Sequence, residues 1–178
     1  RVDQILKRVL PSVERALETI LPHTLVLGLV EFLVFGIKQA WACLFGGLLI
    51  AAIVLTHQIY PSDAALSRYD FLFLYAIALQ VLFLITRLER PQEALVIFIF
   101  HAVGTTMEVF KTGAGSWTYP EASLLRIGDV PLFSGFMYAA VGSYFARVSR
   151  VFAFRWQAYP RLSFTLILAT GIYINFFS

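Results

Sequence analysis

The sequence predicts an all-α fold, a polytopic transmembrane helical bundle with an N-terminal amphipathic helix lying in the membrane interface. Of the 178 residues, 59% are hydrophobic and only 14% are charged, whereas a soluble domain carries about 25% charged residues. Apolar stretches close to the length of a membrane-crossing helix recur along the chain, and short arginine clusters separate them. This pattern covers the chain, so residues 1–178 are predicted to form a single transmembrane domain.

The amphipathic helix is predicted over residues 1–21. Its apolar residues recur at helical spacing, and charged residues such as Lys7 and Arg8 occupy the opposite face. Such a segment is too charged to cross a bilayer but is typical of a helix lying in the interface. Pro11 is expected to bend or interrupt it, because proline lacks the N–H that a helix interior needs.

Five apolar segments are predicted to cross the membrane, because a hydrocarbon core of about 30 Å needs about 20 residues of helix. They are 40–57, 69–86, 92–110, 131–147 and 160–177. Small residues recur on 131–147, a pattern that allows helices to approach closely in lipid. Arg68 and Asp70, at the start of one span, are expected at the outer surface, where exposed ion pairs contribute little.

Segment 23–37 is apolar but short, and only two residues separate it from the next predicted span. The arginine clusters around Arg87 and Arg147 flank a pair of spans, so both are expected on the cytoplasmic side of a bacterial inner membrane. Counting back places residue 40 on the same side as the N-terminal helix. Segment 23–37 is therefore predicted to be re-entrant, or else a short span.

Polar side chains in the 92–110 span predict a functional site. His101, Thr105 and Glu108 are spaced four and three residues apart, so they share one face of a helix. Ionisable groups inside a span are expensive and usually face the bundle interior or a wet cavity. His101 and Glu108 are the candidate catalytic residues, and Thr105 is a candidate substrate-binding residue.

The loop after this span extends the candidate site. It holds two glycines followed by Trp117 and Tyr119, which are candidate substrate-binding residues, and then Asp129, a third candidate catalytic residue. As isolated residues, the two aromatics would be ordinary interfacial anchors. Glu31, in segment 23–37, is a further polar candidate for substrate binding, with a structural role as the alternative.

Several classes of function lack their signatures. The chain has no His-x-x-x-His or Cys-x-x-Cys spacing and a single cysteine, Cys43, so no metal site is predicted. It has no P-loop and no Gly-x-Gly-x-x-Gly motif, and no cofactor is specified. The basic residues form no continuous stripe, so nucleic acid is not an expected partner. Expected partners are membrane lipid, a lipid-soluble small molecule and other membrane subunits.

Two long stretches, Phe100–Pro120 and Ile127–Tyr138, carry a family resemblance, and Phe35–Gly47 fits it as well. Together they closely resemble a bacterial integral membrane family, the domain of unknown function 817. Members of that family are longer, which implies that this chain is part of a longer polypeptide. The non-methionine start at Arg1 and the apolar last residues favour the same interpretation.

A looser resemblance suggests a chemistry. An intramembrane glutamate, then glycines, then Trp-x-Tyr, then a span led by proline is similar to the repeated motif of membrane carotenoid hydratases and lycopene cyclases. The resemblance implies that Glu108 is an acid that protonates a polyene and that Asp129 is a second carboxylate. Trp117 and Tyr119 would then shield the resulting cation by cation–π attraction.

Three functions stay open on the sequence. The first is a membrane enzyme acting on an isoprenoid or other lipid-soluble substrate, with Glu108 as the acid. The second is a transporter or permease with a polar path lined by Glu31, His101 and Glu108. The third is a non-catalytic subunit of a larger membrane complex.

Overall fold

A computed structural model describes residues 2–177 and shows an all-α bundle, which confirms the predicted fold class. The described residues form seven helices: α1 Val2–Glu18, α2 His23–Ala42, α3 Leu44–Ile59, α4 Arg68–Ile85, α5 Pro91–Gly113, α6 Phe133–Val151 and α7 Leu162–Phe177. The loop between α5 and α6 contains a short antiparallel hairpin of β1 Arg126–Ile127 and β2 Val130–Pro131. Within the hairpin, Ile127 pairs with Val130.

Helices α3 to α6 form the core of the bundle. Aromatic and aliphatic side chains fill it, and its buried members are Phe45, Leu49, Ala76, Leu79, Phe83, Ile97, Phe136 and Ala139. The chain reverses at the end of each of these helices. Loop 114–132 therefore lies at one end of the bundle, here called the loop end, and the turn 86–90 lies at the other, here called the arginine end.

Helices α5 and α6 pack closely because glycines remove side chains at their contact. A Cβ atom added to Gly104 on α5 would lie 2.5 Å from Cβ of Tyr138 on α6. A Cβ atom added to Gly135 on α6 would lie 2.7 Å from Nδ1 of His101 on α5. The small residues of the predicted 131–147 span thus mark the surface that allows this close approach.

The surface of the bundle is unusually apolar for a protein in water. Within residues 2–177, three helices are long and apolar enough to cross a membrane, namely α2, α4 and α5, and α3 and α7 are shorter apolar helices. Large apolar side chains such as Ile50, Phe98 and Ile167 are mostly exposed. Large contiguous exposed apolar surfaces usually mark a membrane or protein contact, so these helices indicate a membrane protein.

The boundary between the first two apolar segments differs from the predicted one. Helix α2 continues through the predicted break at Lys38 and Gln39, and only Cys43 separates it from α3. Lys38 pairs with Asp3 at 2.9 Å, and Gln39 accepts a hydrogen bond from Tyr144, so these polar residues find partners while staying helical. Segment 23–37 lies within α2, which is one unbroken helix. Its re-entry into the membrane stays a prediction.

Helix α1 packs antiparallel to α2, with Asp3 near Lys38 at one end and Glu18 near His23 at the other. Pro11 lies inside α1 without ending it. The helix buries few residues and leaves apolar side chains such as Ile5 and Val9 exposed. This amphipathic surface fits the predicted helix, and its location in the membrane interface stays a prediction.

Candidate functional site

Glu108 lies on α5 near the loop end and is buried, with 3% of its surface exposed. Its Oε2 atom accepts hydrogen bonds from Nε1 of Trp117 at 2.8 Å and from the hydroxyl of Tyr119 at 2.6 Å. Its Oε1 atom accepts one from the hydroxyl of Tyr138 at 2.7 Å. Among residues 2–177, no ion pair involves Glu108. We call these four residues the Glu108 site.

Two structural features bring the three donors to the carboxylate. The first is the close contact of α5 with α6, where Gly104 makes room for Tyr138. The second is the end of α5, where Gly115 adopts a φ of +74° and the chain turns back on itself. Glycine adopts this left-handed conformation without the steric cost that a side chain adds. The turn places Trp117 and Tyr119 over the helix that carries Glu108.

Loop 114–132 is anchored to the start of α4. Asp70 is buried, and its carboxylate accepts hydrogen bonds from the backbone N–H groups of Leu124 and Leu125, each at 2.8 Å, and from the Ser123 hydroxyl at 2.7 Å. Arg68, also on α4, forms a two-pronged ion pair with Glu121 of the same loop. The expectation that Arg68 and Asp70 form exposed surface contacts is therefore wrong for Asp70, which the loop covers.

Tyr119 is held as a hydrogen-bond donor. Burial raises the pKa of its phenol, and the hydrogen bond to the Glu108 carboxylate raises it further. Its ring meets those of Tyr69 and Phe133 edge-on, with centroids 6.0 and 6.2 Å apart. An aromatic wall therefore lies directly beside the carboxylate.

His101 and Thr105 continue the polar face of α5 away from the loop end, as the spacing predicts. The His101 ring packs against Phe136 with centroids 4.3 Å apart, and its Nδ1 atom is buried without a side-chain hydrogen bond among the described residues. The Thr105 hydroxyl donates to the His101 carbonyl at 2.8 Å, within the same helix. Thr112, one turn beyond Glu108, also has a buried hydroxyl without a hydrogen-bond partner in that range.

Two of the predicted site residues lie elsewhere. Asp129 is exposed in the hairpin turn beside Gly128, whose φ is +58°, and its carboxylate pairs with Arg126 at 2.7 Å. The structure therefore does not bring Asp129 to Glu108 as a second carboxylate. Glu31 is exposed on α2 and is not among the partners of Glu108.

Sequence reasoning missed two features. Tyr138 completes the Glu108 site, and a signal for it exists, because it lies on the same helical face as Gly135 and Gly142. The other is a buried cluster at the arginine end, where Glu89 pairs with Arg147 at 2.9 Å and accepts from Gln80 and Ser143. Within residues 2–177, no group of three His, Cys, Asp or Glu side chains could hold a metal ion.

Fold and site together define a helical bundle with candidate membrane-crossing helices and two buried carboxylates, Glu108 and Asp70, that neutral donors hold within the described residues. Residues 31–178 match the model of the family described as "Protein of unknown function (DUF817)", and this chain belongs to that family. The expected family is thereby confirmed.

A curated relative is the "Uncharacterized protein YoaT" of Bacillus subtilis (strain 168), which is 40% identical over 144 residues. The match covers 81% of this chain and 54% of that protein, so the chain spans about half the length of the relative it matches. No solved structure matches. These comparisons do not confirm the resemblance to carotenoid hydratases and lycopene cyclases, which stays a prediction.

Proposed function

We propose that this chain belongs to a multi-pass enzyme of the bacterial inner membrane that acts on an isoprenoid or other lipid-soluble substrate, with Glu108 as the acid. The observation that carries the proposal is the composition of the Glu108 site. The carboxylate is buried among three neutral donors, Trp117, Tyr119 and Tyr138, and forms no ion pair within the described chain.

Like Asp70, Glu108 has no cationic partner among residues 2–177, but its donors are three aromatic side chains rather than backbone N–H groups of an anchored loop. This setting suits a group that gains and loses a proton. A buried carboxylate beside an arginine stays ionised, because protonation would leave the arginine charge alone. Protonation of Glu108 leaves no buried positive charge without its partner among the described residues. The phenol groups can also reverse their role, since each hydroxyl both donates and accepts.

Substrate access follows from where the donors lie. Two of the three, Trp117 and Tyr119, belong to loop 114–132, and Trp117 is 40% exposed. Hydrogen bonds to a charged acceptor are about twice as strong as those to a neutral one. Proton uptake by Glu108 therefore weakens the hold on the loop at the moment when the acid is ready for a substrate.

The proposed step is proton transfer to a carbon–carbon double bond. Glu108 takes a proton from water at the loop end and passes it to one carbon, where the π electrons form the new C–H bond. The neighbouring carbon becomes a cation, which then loses a proton from an adjacent carbon or is captured by a water that loses one, and the released proton passes to the Glu108 carboxylate or to solvent. The faces of Trp117 and Tyr119 attract such a cation, and Asp129 has no part in this step.

The test compares Glu108→Gln with Asp129→Asn in the full-length protein that contains this chain. Both changes remove one carboxylate, but only the first touches the Glu108 site. Lipid extracts of cells expressing each variant are compared by mass spectrometry with extracts from cells expressing the wild type. We expect Glu108→Gln to lower the product by a factor of about 10² or more and Asp129→Asn to leave it unchanged. Equal product from wild type and Glu108→Gln would contradict the proposal.

A proton-coupled transporter is the second candidate, and a separate observation favours it. Thr112, Glu108, Thr105 and His101 form a line of polar groups along α5, and the two outer members carry buried polar atoms without side-chain partners in the described range. Such a line resembles a path for protons inside a bundle. Proteoliposomes with a pH-sensitive dye should acidify only if Glu108 is present. Sealed vesicles with no flux, together with a subunit co-purifying at fixed stoichiometry, would instead favour a non-catalytic role.

A further inference from the structure

A groove of about 920 Å³ opens at the arginine end of the bundle. It lies between the start of α1, the end of α2, the turn 86–90 and the end of α6. Its walls are partly apolar, with Trp41, Leu84, Leu88 and Val151 among the lining residues. It is separate from the Glu108 site, since none of the four residues of that site lines it.

The acidic side chains at this groove are already neutralised. Both acidic residues that line it form ion pairs, Asp3 with Lys38 at 2.9 Å and Glu89 with Arg147 at 2.9 Å. Arg150, a basic lining residue, is paired with Glu93 at 3.0 Å. Arg87 and Arg90 also line the groove, and neither forms an ion pair with any residue from 2 to 177. Two positive charges therefore remain at the groove without acidic partners in the described chain.

The backbone of Arg87 makes this residue well suited to a test by substitution. Its φ is +54°, a left-handed conformation that glycine usually provides where a helix ends. The end of α4 has that geometry, because the N–H groups of Leu88 and Glu89 both bond to the Phe83 carbonyl, at 2.8 and 3.0 Å. A non-glycine residue in this conformation is uncommon, and glycine can replace Arg87 there without backbone strain.

We infer that this groove binds the phosphate of an anionic membrane lipid between Arg87 and Arg90, with an acyl chain along the apolar wall. Guanidinium groups bind phosphate through paired hydrogen bonds. The apolar wall of Leu84, Leu88 and Val151 offers no hydrogen bonds to a free phosphate ion, but it can pack against the acyl chain of a lipid. Basic groups near a membrane surface also attract anionic lipids. The inference does not depend on any activity of Glu108.

The decisive variant is Arg87→Gly. Glycine suits the left-handed backbone, so the variant keeps its fold while losing one of the two free guanidinium groups. The matched control is Arg155→Gly, which removes an exposed arginine from the segment after α6 that does not line the groove. The full-length protein is purified in neutral detergent and titrated with phosphatidylglycerol, phosphatidylcholine or inorganic phosphate, and bound lipid is counted by native mass spectrometry.

We expect phosphatidylglycerol to bind the wild type more tightly than phosphatidylcholine does. Arg87→Gly should weaken that binding about fivefold, the effect expected of one basic residue at a membrane surface, and Arg155→Gly should leave it unchanged. Equal binding of the two lipids, or equal losses in the two variants, would overturn the inference. Inorganic phosphate that displaces phosphatidylglycerol at millimolar concentration would overturn the lipid assignment in favour of a free anion.

Discussion

Glu89 and Glu108 are two buried carboxylates at opposite ends of the same pair of helices, and both are 3% exposed. They differ in their partners. Glu89, just before α5, meets the guanidinium of Arg147 on α6, whose side chain is fully buried and also lies over the ring of Phe83. Glu108 meets only neutral hydrogen-bond donors.

Charge compensation alone does not distinguish a structural carboxylate from one suited to proton exchange, because Asp70 is also buried without an ion pair and anchors loop 114–132. What distinguishes Glu108 is that its three donors are aromatic side chains, whereas Asp70 accepts two backbone N–H bonds. Losing the Glu89 carboxylate charge would leave the guanidinium of Arg147 buried without a counter-charge, which is costly. Protonating Glu108 leaves no opposite charge behind. The ion pair therefore assigns Glu89 to stability, and the aromatic donors make Glu108 the candidate for chemistry.

The largest expected effect comes from breaking the ion pair at the arginine end. Arg147→Met leaves the Glu89 carboxylate buried without a counter-charge, and we expect it to lower the free energy of unfolding by about 3–5 kcal/mol. Unfolding in mixed detergent micelles, followed by circular dichroism, measures this loss. The Arg147→Met/Glu89→Gln double variant should recover part of it, because no unpaired charge remains. A single variant as stable as the wild type would remove the distinction between the two ends.

The next effect tests the loop end alone. Gly104→Ala places a methyl group against Tyr138, 2.5 Å from its Cβ atom, so α5 and α6 must move apart near Glu108. Overpacking of this kind costs about 1–3 kcal/mol. Gly47→Ala is the control, because nothing lies within 4 Å of the added methyl group, and alanine in a helix gains up to about 1 kcal/mol. If Gly104→Ala proved as stable as Gly47→Ala, the α5–α6 contact would not be holding Tyr138 in place.

A smaller effect is expected from Glu108→Gln. The amide oxygen still accepts hydrogen bonds, and a tyrosine hydroxyl can rotate to accept one from the amide NH₂ group. Only the charge-assisted part of the three bonds is lost, about 1–2 kcal/mol. The same unfolding measurement applies. A loss as large as that of Arg147→Met would mean that Glu108 is structural like Glu89, and the contrast between the two carboxylates would fail.

Most of the fold can be predicted from the sequence, because hydropathy and charge are averaged over many residues in each segment. The predicted segments 69–86, 92–110 and 160–177 each correspond to a helix with nearby bounds. The boundary near Lys38 could not be read in the same way. A charged residue in an apolar helix looks like a break unless its partner, here Asp3 on α1, is known to be close.

The candidate site was only partly predictable for a similar reason. His101, Thr105 and Glu108 share a face because helix geometry is local, and Trp117 and Tyr119 follow closely in the chain. Asp129 lies farther along the same loop, and the hairpin turn directs it outward. Tyr138 lies on another helix, so its contact with Glu108 depends on tertiary packing that no local pattern contains.

The smallest expected effect is that of Tyr119→Phe, which should leave the titration of the tyrosine hydroxyls unchanged. Burial and the Glu108 carboxylate raise the pKa of Tyr119, whereas a free phenol titrates near pH 10. A raised pKa favours the protonated phenol in the fold, so its contribution to stability is complete below about pH 10 and is lost only as pH rises through the higher folded value. Tyrosinate absorbance at about 295 nm between about pH 9 and 11 should therefore be the same in Tyr119→Phe and in the wild type. A decrease of one tyrosine out of eight would mean that Tyr119 ionises there and that neutral donors do not hold the Glu108 charge.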